Sequence, residues 1–336
     1  MTPVDPTPPL PISSANTSFS LPRIARFWPR LAAAIIDGLL LGAIGQVLGW
    51  TLSVVWFQIG PYGRFVGFAI ALLYFGLLNS KLGRGQTVGK RVMKIAVCGL
   101  DNQPIALLRS MLRALILIAP TMLNGWGLPI LELPALQWAQ RLIVFGLGLA
   151  TAYTMIFNRK VRQGFHDLLC STRVIQTVGY PIDIYPPTPN IHWVISILLI
   201  VLAGFGLIGT SIITPSLISN TRLGPVFSLY QNFQNDPRFF TVGVNDNEAF
   251  VSGKASVRTL TISAWQKGGM PSEVERTKLI NDIAQTALAK TPNIKGFDRI
   301  RVNLTSAYDL GIASGNVSYF EDGSIADWQA RVPSSL

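Results

Sequence analysis

The chain has 336 residues and a formal net charge of +11, with 49% hydrophobic and only 13% charged residues. Soluble domains carry about 25% charged residues, so this composition excludes an ordinary soluble protein and indicates a membrane protein with a soluble appendage. Residues 1–213 hold 16 Lys and Arg against 6 Asp and Glu, whereas residues 214–336 hold 12 against 11. Because the basic excess flanks apolar segments, it favours contact with anionic lipid headgroups at the cytoplasmic face over nucleic-acid binding.

The chain begins with a proline-rich segment and continues into apolar ones. Residues 1–22 contain six prolines and lack the apolar core of a signal peptide, which predicts a disordered tail. Five later segments have the composition of membrane helices, which need about 17–25 residues to cross a bilayer. They are residues 31–57, 65–79, 114–131, 142–157 and 191–213, with a proline-rich linker at 177–190 before the last one.

Basic residues set the expected topology. Three arginines precede the first apolar segment, seven Lys and Arg separate the second from the third, and four follow the fourth. Since cytoplasmic loops are enriched in Lys and Arg, we expect all three basic segments in the cytoplasm. This predicts a polytopic α-helical protein of about five transmembrane helices in a bacterial plasma (inner) membrane, with the N-terminus inside and residues 214–336 outside. In a three-span alternative, the third and fourth segments lie in the interface.

Residues 214–336 are predicted to form a small extracytoplasmic α+β domain. Alternating polar and apolar residues predict strands, and helical spacing of apolar residues, Val274 among them, predicts a helix. The predicted elements are strands at 257–265, 299–304 and, more weakly, 311–320, and a helix at 272–290. The last strand is expected to end in a turn at residues 321–323. The domain contains neither Cys nor His, which argues against a disulfide framework or a zinc site.

Asp37 is an acidic residue inside the first apolar segment. A carboxylate facing lipid costs about 2.5–3.5 kcal/mol on insertion scales, which suggests a function. Arg30, seven residues earlier, lies on the same helical face but roughly 10 Å away along the axis, so we expect no direct salt bridge between the two. A lone carboxylate in a low-dielectric bundle could exchange a proton for Na⁺, K⁺ or Li⁺. Asp37 is therefore a candidate ion-binding residue.

A loop with several glycines follows the second apolar segment. It contains Gly85, Gln86, Thr87, Gly89 and Lys90. This spacing superficially resembles a phosphate-binding loop, but Arg91 follows Lys90 where a magnesium-binding Ser or Thr is required. We therefore expect no nucleotide hydrolysis. The glycines are instead expected to shape a tight cytoplasmic turn, with Lys90, Arg91 and Lys94 facing lipid headgroups.

Histidine and cysteine residues do not indicate an enzyme. His166 and Asp167 are adjacent, but no recognisable nucleophile accompanies them, and adjacent side chains point in different directions. Cys98 and Cys170 match no metal-binding spacing and are expected to be small buried thiols. We therefore predict neither enzyme activity nor a metal or other cofactor.

Four motifs in order along the chain resemble one known family. They are residues 30–37 (RLAAAIID), residues 85–90 (GQTVGK), Arg109 to Arg113, and residues 162–172 (RQGFHDLLCST). Together they resemble the RDD family of membrane proteins, named for one arginine and two aspartates, over about residues 23–176. On this resemblance Arg30, Asp37 and Asp167 are the three named positions. The supporting residues are Gly85, Gln86, Thr87, Gly89, Lys90, Arg113 and His166. The family is described as a probable transport domain, and some members are reported to resemble cation/proton antiporters.

The resemblance implies a transporter of small ions or solutes, and cation/proton antiport through Asp37 is one form of it. In that form an Arg30–Asp167 pair would gate the inner mouth. The alternative is a non-catalytic membrane scaffold or assembly factor, in which these charged residues form a structural clasp and the outer domain binds a protein partner or a second copy. A water-accessible cavity reaching Asp37 would favour transport, whereas a fully hydrogen-bonded, dry Asp37 would favour the clasp.

Overall fold

The computed structural model describes residues 22–125, 134–178, 189–219, 224–234, 236–250, 256–291 and 294–331. The predicted disordered tail and most of the predicted proline-rich linker lie outside these ranges. The described helices are α1 (Phe27–Thr51), α2 (Ser53–Ile59), α3 (Gly63–Leu78), α4 (Val88–Val92), α5 (Leu107–Leu123), α6 (Pro134–Arg141), α7 (Gly148–Phe157), α8 (Phe165–Leu169), α9 (Ile191–Ser219), α10 (Gly224–Gln234), α11 (Glu273–Lys290) and α12 (Ile325–Ala330). The described strands are β1 (Ile95–Gly99), β2 (Thr172–Gln176), β3 (Phe239–Ala249), β4 (Val257–Gln266), β5 (Arg299–Asp309) and β6 (Ser314–Ser324).

Three helical stretches in the described chain are long and apolar enough to cross a membrane. They are Phe27–Thr51, Ser53–Leu78 and Ala135–Phe157, and α9 adds the shorter apolar stretch Ile191–Gly206. On α1 the large side chains point outward, with Leu39 70% and Trp50 72% exposed, whereas Ala33 and Gly45 are buried. Small residues inside and large apolar residues outside are typical of helices that pack together in lipid. The N-terminal half is therefore a membrane-type helical bundle.

Several predicted segment boundaries differ from the structure: the first segment was expected to run to residue 57, but α1 ends at Thr51, and the third to run to 131, but α5 ends at Leu123. The third apolar segment was expected to begin at residue 114, but α5 begins at Leu107 and contains Arg113 in its interior. A charged residue is accommodated there because Arg113 is 3% exposed and forms an ion pair with Asp167. The last helix was expected to end at residue 213 but continues to Ser219.

A small antiparallel sheet, which the sequence analysis did not predict, lies beside the start of α1. In it β1 pairs with β2, and Ile24 makes an additional bridge to Ile175. The backbone N–H of Ala25 donates to the Val174 carbonyl at 2.9 Å, which ties the segment before α1 to this sheet. The strands have five residues each and lie far apart in sequence, so local periodicity could not reveal their pairing.

The C-terminal domain is built on a four-stranded sheet with the order β3-β4-β5-β6. The central strands β4 and β5 are parallel, and α11 connects them, whereas both outer pairs are antiparallel. The predicted strands β4 and β5 are confirmed, as is the start of α11, where Ser272 caps the helix and Glu275 completes a capping box. Inward-facing residues of the two central strands are fully buried, among them Leu260, Ile262, Ile300 and Val302.

Three details of the C-terminal domain correct the sequence-based predictions. Val274 was placed on the buried stripe of the helix but is 79% exposed, because Ile280 and Ile283 define the packed face. The predicted turn at residues 321–323 is part of β6, where Asp322 forms ion pairs with two arginines of β5. Strand β3 was missed because its second half is rich in Gly, Asn and Asp, which are depleted in strands.

The small sheet and the C-terminal domain lie at opposite ends of α1. With 25 residues the helix is about 37 Å long, which exceeds the hydrocarbon thickness of a bilayer. The β1–β2 sheet adjoins its first residues, whereas the turn between β5 and β6 packs against Gly45 and Gly49 near its end. The bundle therefore separates the two sheets.

Candidate functional site

Asp37 is held by three hydrogen bonds from two other elements. Its Oδ1 accepts from the Tyr74 hydroxyl at 2.7 Å and from the backbone N–H of Gly89 at 2.8 Å, and its Oδ2 accepts from the Thr87 hydroxyl at 2.6 Å. The residue is 1% exposed. Hydrogen bonds to a charged acceptor are stronger than neutral ones, so this carboxylate fastens α1 to α3 and to the start of α4.

The loop before α4 has the shape that Asp37 requires. Gly85 has a positive φ of 72°, and its carbonyl accepts a 2.8 Å hydrogen bond from the N–H of Val97 in β1. Thr87 is the N-cap of α4, so its hydroxyl lies at the helix start and within reach of Asp37. A Cβ at Gly89 would overlap the carbonyl of Ala33, so glycine is needed for α4 to approach α1. The loop thus packs into the bundle.

Asp167 is the centre of a second buried cluster. Its Oδ1 accepts from Arg113 Nε and from the Thr172 hydroxyl, both at 2.8 Å, and its Oδ2 lies 3.4 Å from Arg30 Nη1. The residue is 0% exposed. Burial by itself disfavours the charged carboxylate, but Arg113 above all outweighs this effect and holds the pKa of Asp167 well below its usual range. The expected pairing of Arg30 with Asp167 is present, within a network that also includes Arg113.

Lys90 and His166 differ from their predicted roles. Lys90 does not face lipid headgroups, because its Nζ donates to Asn79 Oδ1 at 2.6 Å inside the bundle, and burial followed by repulsion from Arg113 lowers its pKa to about 7. The side chains of His166 and Asp167 do not diverge, since His166 Nε2 lies 3.5 Å from Asp167 Oδ2. Burial lowers the pKa of His166 to about 3, so its imidazole is neutral at physiological pH.

A cavity of about 100 Å³ lies between the two clusters. Its polar lining consists of Arg30, Asp37, Lys90, Arg113 and His166, and its apolar lining includes Phe75, Leu117 and Met155. Arg30 Nε and Arg113 Nη1 are buried and have no hydrogen-bond partner among the residues that the structure describes. The cavity is therefore lined mainly by cationic side chains, and buried guanidinium nitrogens lie close to it.

The sequence-predicted site residues fall into two groups. Those that meet at the clusters and the cavity are Arg30, Asp37, Thr87, Gly89, Lys90, Arg113, His166 and Asp167. Gly85 and Gln86 lie apart and bond to β1 instead, through the N–H of Val97 and the carbonyl of Ile95. Tyr74 and Asn79 were not predicted as site residues, although polar groups in an otherwise apolar helix and at its end are a recognisable signal.

At the other end of the bundle, the turn between β5 and β6 enters the space between helices. We name residues 308–313 the hairpin tip. A Cβ at Gly67 in α3 would overlap the carbonyl oxygen of Leu310, so the two backbones are in direct contact. Arg64 at the start of α3 donates from Nε to Asp309 Oδ2 at 2.7 Å and from Nη1 to the Met122 carbonyl at 3.0 Å. The hairpin tip therefore joins the C-terminal domain to α1, α3 and α5.

Comparison with known proteins identifies the family of the N-terminal part. Residues 24–171 match the model of the RDD family. One relative is the uncharacterized protein YckC of Bacillus subtilis (strain 168), which is 26% identical over 150 residues, or 45% of this chain and 83% of that protein. No solved structure matches the chain. The expected resemblance is confirmed: residues 24–171 of this membrane protein form an RDD family domain.

Proposed function

We propose that the protein is a membrane transporter of small ions or solutes, with the cavity of the RDD domain as its binding site. The observation that supports this most strongly is that Arg30, Lys90 and Arg113, from three different helices, line one internal space. Ionisable groups inside a membrane bundle are costly and are found mainly along substrate and ion pathways. YckC is itself uncharacterized, so the proposal stands on the geometry of this chain.

The proposal includes five membrane crossings, with the N-terminus in the cytoplasm of a bacterial cell and the C-terminal domain outside. Arg26, Arg159 and Arg162 surround one surface pocket at the same end of the bundle as the β1–β2 sheet, which favours a cytoplasmic location for that end and contact with anionic headgroups. The alternation of helix ends supports the odd number of crossings. The start of α1 and the end of α7 both lie at this pocket, so an even number of crossings separates them. The following helix, α9, leads away from this end, because its His192 contacts Tyr153 near the end of α7 and its Ile200 lies at Gly146, before the start of α7.

Asp37 has a structural role in this proposal. Cation/proton antiport through Asp37 would require a cation to displace donors from Tyr74, Thr87 and Gly89. The same three bonds favour the second candidate, a membrane scaffold whose charged residues are a clasp and whose outer domain binds a protein partner. Transport remains the first proposal because a clasp alone does not account for a cavity beside Asp37 that three cationic side chains line.

Ion flux in proteoliposomes tests the proposal. The full chain is reconstituted with a pH-sensitive or ion-sensitive dye inside, and salts of Na⁺, K⁺, Li⁺, chloride and nitrate are added in turn. Leu117→Trp fills the cavity without changing a charge, and Leu115→Trp, at a 39% exposed position of the same helix, is the matched control. Flux in the parent and in Leu115→Trp that disappears in Leu117→Trp would support transport. Flux no greater than that of empty liposomes for every ion would reject it and favour the scaffold.

A further inference from the structure

The chemistry of the cavity specifies the class of ion that it accepts. We propose that the cavity between α1, α4, α5 and α8 binds a small monovalent anion such as chloride, nitrate or formate. This inference extends the proposed function, because it names the ion of the same site. Binding can nevertheless be measured without transport, so the two can fail separately.

The charges around the cavity favour an anion. Three cationic side chains, those of Arg30, Lys90 and Arg113, lie around two carboxylates, those of Asp37 and Asp167. With His166 neutral, one positive charge is left without a counter-charge when Lys90 is protonated. An uncompensated charge in a buried site is costly, and a bound monovalent anion would remove that cost.

Existing hydrogen bonds leave donors free for the anion and few acceptors for a cation. Both oxygens of Asp37 and both oxygens of Asp167 already accept hydrogen bonds. Lys90 uses one of its three ammonium donors on Asn79, and the side chains of Arg30 and Arg113 line the same cavity. Cationic side chains around a cavity whose carboxylate oxygens are already bonded fit an anion and disfavour Na⁺ or K⁺, and His166 Nδ1 is the one ring nitrogen in the described lining that is left unpaired.

The volume of the cavity limits the size of the ligand. A space of about 100 Å³ corresponds to roughly three water molecules. Chloride, nitrate and formate fit in it, whereas gluconate, with six carbon atoms, does not. The apolar lining of Phe75, Leu117 and Met155 contributes no further polar group that would recognise a larger, polyfunctional anion.

Protonation of Lys90 couples anion binding to pH. The groups around it are Arg30 and Asp37 on α1, Asn79 after α3, Arg113 on α5, and His166 and Asp167 on α8. Burial and repulsion from Arg113 lower the pKa of Lys90 to about 7 in the empty site, and a neighbouring anion favours the ammonium form. Lys90 is therefore charged below pH 7 and binds the anion well, and binding weakens as the pH rises above 7.

Calorimetric titration of the full chain in lipid nanodiscs tests the inference. Sodium nitrate and sodium chloride are titrated at pH 6 and pH 8.5, with sodium gluconate as the salt control. If only the ammonium form of Lys90 binds, affinity at pH 8.5 is roughly 30-fold weaker than at pH 6. Lys90→Gln should bind weakly with no pH dependence over this range, Leu117→Trp should not bind, and Leu115→Trp should bind like the parent.

The outcomes separate the anion site from transport. No binding of nitrate or chloride by the parent protein, or equal binding of gluconate, would overturn the anion site. Retained binding in a folded Leu117→Trp variant, checked by its thermal unfolding, would also overturn it. Nitrate binding without flux in proteoliposomes would support the anion site and reject transport. Cation flux without nitrate binding would support transport and reject the anion site.

Discussion

The hydroxyl of Thr87 donates a 2.6 Å hydrogen bond to Asp37 Oδ2 and joins the loop before α4 to the middle of α1. The bond connects two motifs that lie 50 residues apart in sequence. It depends on Gly89, whose missing side chain lets the loop reach the backbone of α1 at Ala33. These motif residues of the RDD domain therefore hold α1 and the loop before α4 together, and the cavity lies beside this contact.

Asp37→Asn is expected to destabilise the protein. An amide supplies one acceptor oxygen in place of two and brings an N–H₂ group towards donors, so part of the hydrogen bonding from Tyr74, Thr87 and Gly89 is lost. Hydrogen bonds to charged groups are worth about 1.5–3 kcal/mol each, and we expect a loss of about 2–4 kcal/mol in the free energy of unfolding. Thermal unfolding in detergent measures it, with exposed Asp101→Asn as the control.

Flux measurements on the same variant distinguish the structural role from an ion-carrying one. On our account, Asp37→Asn reduces the amount of folded protein but leaves the flux per folded molecule largely unchanged. Complete loss of flux in a variant that unfolds at the parental temperature would contradict this structural role. It would show that Asp37 itself carries the ion.

Gly67→Ala is expected to displace the hairpin tip. The new Cβ would overlap the Leu310 carbonyl, and backbone cannot move aside as a flexible side chain can, so we expect a cost of about 1–3 kcal/mol or more. Gly38→Ala in α1 is the matched control, because nothing lies within 4 Å of the Cβ it would add. Limited proteolysis should release the C-terminal domain faster from Gly67→Ala than from the parent or the control. Equal rates for all three proteins would mean that the contact does not fix the domain.

Arg64 and Asp309 should be energetically coupled. The two side chains are 13% and 22% exposed, and their closest contact is 2.6 Å, so solvent screens the pair only in part. We expect a coupling of about 1–3 kcal/mol between Arg64→Met and Asp309→Asn in a double-mutant cycle of thermal unfolding. A coupling below about 0.5 kcal/mol would assign the attachment of the hairpin tip to packing alone.

Lys90→Met should stabilise the protein at neutral pH in the absence of small anions. The pKa of Lys90 is lowered from its unfolded value near 10.5 to about 7, so between these values the unfolded chain binds more protons and the parent becomes more stable as the pH rises. The destabilisation caused by Lys90 is therefore greatest below pH 7 and shrinks towards pH 10. Denaturation midpoints of parent and variant in gluconate buffers at pH 6, 8 and 9.5 should converge with rising pH. A constant difference would show that Lys90 does not titrate in this range.

Sequence patterns predicted the features that depend on local spacing. Strands β4 and β5 alternate with period two, and Ser272 and Glu275 form a capping box that marks the start of α11. The Arg30–Asp167 pair, which was expected under the transport hypothesis, is also present, with a distance of 3.4 Å between Nη1 and Oδ2. These features need only neighbouring residues or a family resemblance to be recognised.

The remaining features depend on contacts between distant segments. Lys90 was assigned to the membrane surface because basic loops usually lie there, but the packing of Gly89 against α1 turns the start of α4, and Lys90 with it, into the bundle. The hairpin tip was also missed. Its turn, Leu310–Ala313, is apolar except for Gly311, and an apolar turn between two strands is a signal that it is buried against another surface.

The proposed function requires that an ion bind in the cavity of the RDD domain during transport. Nitrate and chloride flux into proteoliposomes, compared between Leu117→Trp and Leu115→Trp at equal amounts of folded protein, tests it most directly. We expect parental flux in Leu115→Trp and flux at the level of empty liposomes in Leu117→Trp. Equal flux in the two variants would contradict it, because an ion would then cross the protein without using the cavity that Leu117 lines.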